Sequence, residues 1–290
     1  MSSQPTSPPS RELRNRGPHR YDPALQGHKL TIAYRGTEFS GWQRQSAKRT
    51  VQGCIEDALE KIWGEKISLQ GSGRTDTGVH ALGQIASFNA PRLHNATVLL
   101  RALNANLPHD VRIMKCRLVS PAFHARFDAR GKTYRYLIWN RLVQDPFTVD
   151  THWHVPRDLD LPAMRRAARL LLGRHDFASF TSNPGYERES KVRIMKRASV
   201  VRDGAVLVFH FTADGFLYRM VRNLVGALVK VGKGKITVEE FGAILRSCKR
   251  SAAPETAPAC GLYLMHVVYK ATEPASVSNT LPLPASAEIQ

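Results

Sequence analysis

The residue types and spacing that can do chemistry first converge in one stretch, Gly71-Ser72-Gly73-Arg74-Thr75-Asp76-Thr77-Gly78-Val79-His80-Ala81. It sets a cation, a carboxylate and a histidine among glycines and small side chains. Glycines let the backbone turn and let a ligand come close. Arg74 and Asp76 are two apart, so in an extended segment they point the same way. An isolated Asp-Thr-Gly of this kind is more often a turn whose Asp caps a neighbouring amide. The rest of the chain decides between the two.

A second candidate lies on a helix predicted from about Phe216 to Val231. Phe216, Met220, Leu224, Ala227 and Val231 line one face, widened by Leu217, Val221, Leu228 and Val229. Arg219, Arg222, Asn223, Gly226 and Lys230 fall on a narrow opposite stripe. So apolar a helix is largely buried, and its arginines then either snorkel to solvent or find partners. Asp76 lacks an evident local structural task and is the candidate partner. A third cluster, residues 123–136, interleaves the cations Arg126, Arg130, Lys132 and Arg135 with Phe123, Phe127, Tyr134 and Tyr136. Such mixing suits RNA, whose phosphates take the charge and whose splayed bases stack on rings. An exposed strand with alternating polar residues fits that cluster equally well. Residues 36–45, with Phe39, Trp42, Gln43 and Arg44, have a similar character.

The elements that must position these residues follow from periodicity. Leu30, Ile32 and Tyr34 alternate as a strand, and Val51, Ile55, Leu59 and Ile62 recur at helical spacing behind the N-cap Thr50. Strands at about 66–70 and 83–88, a helix at 96–105 and a strand at 111–119 complete β-α-β-β-α-β. The second half repeats the pattern: a strand at 134–139, a helix centred on 164–172, and strands at 192–201 and 205–211 joined by an Asp203-Gly204 turn. The long helix, a shorter one at 238–246 and a strand at 263–269 follow. The expected fold is α+β, two tandem ferredoxin-like (RRM-like) units with mostly antiparallel sheets and a central catalytic cleft. Expected boundaries are a disordered basic arm at 1–26, domains at 27–120 and 121–272, and a disordered tail at 273–290. The arm holds Arg11, Arg14, Arg16 and Arg20 in a Ser/Pro-rich context.

Composition narrows the class. A chain of 290 residues, 42% hydrophobic, is long enough to bury a core. Lys and Arg outnumber Asp and Glu by 42 to 24, for a formal charge of +18, which favours a polyanionic partner. No apolar run approaches the ~18 residues of a membrane-spanning helix, and no signal peptide is evident. Cys54, Cys116, Cys248 and Cys260 are scattered, which indicates neither a disulfide framework nor a zinc site. An intracellular protein facing nucleic acid is the resulting expectation.

At this point the residues resemble the TruA-type tRNA pseudouridine synthases over nearly all of the expected ordered span. The family's G-R-T-D-x-G-V-H-A is Gly73 to Ala81, and its F-x-G-W-Q-x-Q is Phe39 to Gln45. Its K-x-Y-x-Y is Lys132 to Tyr136, its M-V-R-N-x-V-G is Met220 to Gly226, and its closing G-L-x-L-x-x-V-x-Y is Gly261 to Tyr269. Arg35 departs from the pattern, which usually has Asp in its opening Y-D-G. The resemblance implies an isomerase that turns uridine into pseudouridine in the anticodon stem-loop of tRNA, at about positions 38–40, a structured RNA read by shape. Nothing is added or removed overall, so neither cofactor nor metal is expected. The family's essential Asp matches Asp76, which either attacks C1′ as a nucleophile or takes the 2′ proton. By the same resemblance Arg222 is its cationic partner and Tyr134 stacks on the target base. Arg74 serves base flipping, and Leu262 and Leu264 are apolar walls. The expected RNA-contacting set is Gln43, Arg74, Arg126, Lys132, Tyr134 and Leu264. A homodimer in the cytoplasm, with tRNA lying across both subunits, is also implied.

Other readings fit less well. Aspartic proteases share the Asp-Thr-Gly but need two carboxylates sharing a proton. A zinc deaminase needs H-x-E and P-C-x-x-C, which are missing from the sequence. Gly232-Lys233-Gly234 lacks the strand, spacing and Ser/Thr of a phosphate loop, and His152-Trp153-His154 reads as packing or surface rather than metal binding. A non-catalytic RNA-binding protein explains the charge, the aromatics and the fold, but leaves Arg74, Asp76 and Arg222 without a reason.

Overall fold

The computed structural model describes residues 25–91, 95–182 and 190–270. Apart from Leu25 and Gln26, the expected basic arm lies outside the described residues, as does the whole of the 273–290 tail. The first half comprises β1 (Leu25–Tyr34), α1 (Val51–Trp63), β2 (Gln70–Gly71), β3 (His80–Pro91), α2 (Ala96–Asn106) and β4 (Val111–Val119). The second comprises β5 (Ala129–Trp139), β6 (Trp153–His154), α3 (Leu161–Arg169), β7 (Gly173–Asp176), β8 (Val192–Asp203), β9 (Val206–Ala213), α4 (Met220–Gly232), α5 (Val238–Ser247) and β10 (Leu262–Tyr269). The fold is mixed α+β, with a single ten-stranded, mostly antiparallel sheet in the order β4-β1-β3-β10-β5-β9-β8-β7. The two halves therefore share one sheet. They meet where β10 runs parallel to β3, Tyr263 opposite His80 and Leu264 opposite Ala81.

Several expected elements change extent, each for a local reason. The helix expected from Phe216 begins only at Met220, because Arg219 adopts a left-handed conformation (φ 56°) and the chain turns there. Residues 66–70 are not a full strand: only Gln70 and Gly71 pair with β3. Ile67 and Leu69 are still buried, and side chains replace the ladder at Leu69. Its N–H donates to Glu56 and its carbonyl accepts from Gln52. β1 starts at Leu25, inside the stretch expected to be disordered. α1 is capped as expected, Thr50 accepting from Gly53 N–H at 3.2 Å.

The core is one continuous apolar cluster. Leu30, Ile32, Tyr134, Tyr136, Phe209 and Phe211 are buried along the sheet. α4 is buried along almost its whole length and packs on α3 and α5. No helix among the described residues is long and apolar enough to cross a membrane.

Gly226 shows how tightly α4 is enclosed. A Cβ built there would fall 2.0 Å from the carbonyl oxygen of Glu255. In an ordinary helix interior, Gly→Ala stabilises by about 1 kcal/mol; here the overlap with backbone outweighs that gain. Gly226→Ala is expected to destabilise the protein by about 1–3 kcal/mol, read as a lower urea midpoint. A midpoint at or above wild type would mean that the 255–257 segment moves aside freely.

Candidate active site

Asp76 sits in the loop between β2 and β3, and that loop is held by named groups. Trp42 N–H donates to Thr75 O at 3.1 Å, and Thr75 Oγ1 shares a 2.8 Å hydrogen bond with Tyr34 Oη. Buried Gln84 accepts from Ser72 Oγ at 2.6 Å and donates to Gly73 O at 2.9 Å. Lys132 Nζ donates to Ser72 O at 2.8 Å. Gly78 has φ +78°, a left-handed turn that glycine makes without strain. A loop with its carbonyls and hydroxyls engaged in this way presents the Asp76 side chain in a fixed place.

The partner of that side chain is Arg222 of α4. Arg222 Nη1 lies 2.9 Å from Asp76 Oδ2, and Arg222 Nε donates to Ala257 O at 2.7 Å. Arg219 Nε approaches the same oxygen only to 3.8 Å. Side-chain exposure distinguishes the two arginines: Arg222 is 14% exposed and Arg219 is 42%. Arg222 therefore forms the enclosed ion pair, a charge-assisted hydrogen bond. Arg219 remains at the rim, its guanidinium 5.0 Å from the Tyr218 ring.

Tyr134 is buried and stands opposite Leu264 in the β5–β10 ladder; Leu264 in turn stands opposite Ala81 of β3. Phe216, freed from the helix by the turn at Arg219, packs edge-on against Tyr134 with ring centroids 5.0 Å apart. Burial, then the neighbouring Tyr34 and Asp76, push the Tyr134 pKa well up. The group is thus a phenol that can stack or donate, not a phenolate. Leu262 and Leu264 are buried beside it.

The remaining expected residues are distributed unevenly. Arg74 is exposed and donates from Nε to Gln43 Oε1 at 3.0 Å, which joins two of the expected RNA-contacting residues. The Asp76 segment is not a strand, so the two-residue alternation does not hold, and no ion pair joins Arg74 to Asp76 among the described residues. Lys132 braces the loop from the sheet through its bond to Ser72. Arg126 is exposed beyond the far end of β5, where Ala129 pairs with Tyr269, and its guanidinium lies 5.7 Å from the Phe127 ring. It is not part of the Asp76 cluster.

His80 is structural. Its Nδ1 accepts from Gly36 N–H at 3.0 Å, so the ring proton resides on Nε2, 3.0 Å from Asp150 O. Burial lowers its pKa and the ring stacks on Tyr263 at 4.7 Å. Arg35, the departure from the family pattern, pairs with Asp150 at 2.8 Å in an exposed contact. Among the described residues no group of three or more His, Cys, Asp or Glu side chains converges as a metal site.

The groups that sequence reasoning missed are mostly backbone or amide. The Ala257 carbonyl aims Arg222, and an alanine carbonyl has no sequence signature. Buried Asn223 accepts from Thr256 Oγ1 at 2.6 Å and donates to Phe180 O at 2.9 Å. Its place beside Arg222 in the helix motif was the available signal.

A family model described as tRNA pseudouridine synthase matches residues 30–128 and 167–270. A tRNA pseudouridine synthase A from Methylacidiphilum infernorum is 51% identical over 246 residues, 85% of this chain and 96% of its own length. Proteins of the same name from Solidesulfovibrio magneticus and Acetivibrio thermocellus are 46% and 44% identical; each match covers 84% of this chain, and 91% and 100% of their own lengths. With the match spanning both halves, the chain belongs to the TruA-type tRNA pseudouridine synthases, a family of isomerases.

Proposed function

We propose that this protein converts uridine to pseudouridine in the anticodon stem-loop of tRNA, with Asp76 as the essential residue. The observation that carries this reading is the Asp76 carboxylate held 2.9 Å from Arg222 beside the buried Tyr134. The reaction breaks N1–C1′, turns the base and joins C5 to C1′. C5 loses a proton and N1 regains one, so composition is unchanged. Asp76 acts at C1′ as a nucleophile or on the 2′ proton; in both roles it works as an anion, and Arg222 supplies the opposite charge beside it. Tyr134 stacks on the base, against the apolar walls of Leu262 and Leu264.

The target base must leave its stack to reach Asp76. Arg74, steadied by Gln43 at the exposed rim, is the side chain that fills the gap. Lys132 holds the catalytic loop, and Arg126 adds to the positive surface that takes phosphates. Strand orders support reading residues 27–120 and 121–272 as two ferredoxin-like units. In the first, β1 lies between β4 and β3, with β2 on β3; in the second, the order is β10-β5-β9-β8. The cleft between the units is the catalytic one, and the cytoplasm is the compartment where such a tRNA enzyme acts. A homodimer is supported by a run of exposed apolar side chains in one loop: Leu142 (80%), Val143 (76%), Phe147 (92%) and Val149 (54%). A second copy would cover them.

A non-catalytic RNA-binding protein would share the charge and the fold, but it gives the Asp76–Arg222 pair no task. The two readings separate with tRNA transcript tritiated at uracil C5. Wild type is expected to release tritium in EDTA, and Asp76→Asn to release none while binding tRNA within a few fold. Substantial release by the variant would remove Asp76 from the chemistry; no release by wild type despite tight binding would favour the binding-protein reading. For the dimer, Phe147→Asp is expected to shift the sedimentation coefficient from dimer to monomer, and an unchanged coefficient would place the interface elsewhere.

A further inference from the structure

In the segment between α5 and β10, four consecutive residues are each fastened by a different contact. The Glu255 carbonyl occupies the space that the missing side chain of Gly226 leaves on α4. Thr256 Oγ1 donates to Asn223 Oδ1 at 2.6 Å. Ala257 is 1% exposed; its carbonyl accepts from Arg222 Nε at 2.7 Å and its N–H donates to Arg222 O at 3.1 Å. The Pro258 carbonyl accepts from Tyr136 Oη at 2.7 Å. The segment is thus registered against α4, which carries Arg222, and against β5, which carries Tyr134.

Asn223 is the hub. It is fully buried, and both ends of its amide are engaged: Nδ2 donates to Phe180 O at 2.9 Å, and Oδ1 accepts from Thr256 and from Arg250 Nη2 at 3.3 Å. Arg250 also donates to the carbonyls of Ala253 and Pro254, at 2.9 and 3.2 Å. A buried network satisfied in this way is stiff, because any displacement leaves a polar group unpaired in low dielectric.

We propose that Asn223 and Thr256 are positioning residues that aim the Arg222 guanidinium at Asp76 through the Ala257 carbonyl. This rests on the reading of Asp76 and Arg222 as the working pair. A guanidinium is a rigid planar fork, so anchoring Nε on Ala257 O fixes the direction of Nη1, which meets Asp76 Oδ2 at 2.9 Å. Arg219, the residue just before α4, is an internal comparison. Among the described residues it has no such anchor; its side chain is 42% exposed and comes only within 3.8 Å of the same oxygen. Nearness to Asp76 is therefore not enough to aim an arginine; Arg222 also has the braced carbonyl.

The test measures the single-turnover rate of pseudouridine formation with enzyme saturating over tRNA. A misplacement of about 1 Å costs on the order of 100-fold in rate, so a loosened brace is expected to cost about tenfold. Thr256→Val removes the hydroxyl and keeps the shape. Its rate is expected to fall about tenfold with tRNA affinity within about twofold, and Thr256→Ser is expected to restore the rate. In an Arg222→Lys background, which has no Nε–H for Ala257 to anchor, Thr256→Val is expected to cause no further loss. A wild-type rate for Thr256→Val, or the same fold loss in both backgrounds, would overturn the proposal. A wild-type rate for Arg222→Lys would instead overturn the role of Arg222, so the two failures are distinct. If Thr256→Val does not fold, Thr256→Ala against Thr256→Ser makes the same comparison.

Discussion

The candidate site is built on one ion pair formed across 146 positions of sequence, Asp76 with Arg222. The carboxylate comes from a loop of the first half and the guanidinium from the central helix of the second. Neither half alone brings them together, and the register of β3 against β10 sets their approach. Taking two charges out of water costs free energy that their attraction offsets only with good geometry and further hydrogen bonds. Those further bonds are present: Ala257 on the arginine, and the clamps on the loop that carries the aspartate. Such a pair is weak evidence of stability, and it gains meaning from what it can do to a substrate.

Side-chain amides do much of the work of shaping the loops around it. Gln84 holds Ser72 and Gly73, Gln52 holds the carbonyl of Leu69, Asn140 holds Val155 O and Arg157 O, and Asn223 holds Phe180 O. All four amides are buried. A buried loop leaves backbone groups without a ladder, and each must be satisfied by something else. A primary amide offers donor and acceptor together, so it substitutes for a strand where the sheet ends. The loop that carries Asp76 can therefore be irregular, and reachable by a ligand, without losing its fixed form.

Electrostatically the site is simple. Burial raises the Tyr134 phenol and lowers the His80 imidazole, so both stay neutral near pH 7. The charge inside the site is then that of Asp76 and its arginines. The chain's excess of 42 cations over 24 anions is available for RNA at the surface, apart from arginines paired internally, such as Arg49, whose guanidinium makes two 2.8 Å bonds to Asp110.

By itself the sequence determined most of the elements and singled out Asp76, Tyr134 and Arg222 as candidates for the chemistry. The alternation of Leu30, Ile32 and Tyr34, the cap at Thr50 and the apolar stripe of α4 are local signals, since pleat and helix periods act within a few residues. The motifs around Asp76, Tyr134 and Arg222 were legible for the same reason, and the apolarity of the helix left its arginines either to snorkel or to find partners. Local signals could not show that the two halves share one sheet, because strand pairing between β3 and β10 depends on long-range packing. Nor could they show that Arg222 rather than Arg219 is enclosed with Asp76, or that Arg74 turns to Gln43 instead. The turn at Arg219 that shortens α4 and frees Phe216 for Tyr134 was hidden by continuous helical periodicity. The Ala257 carbonyl that aims Arg222 is backbone, the same in every residue, and only the tertiary fold decides where a backbone group points.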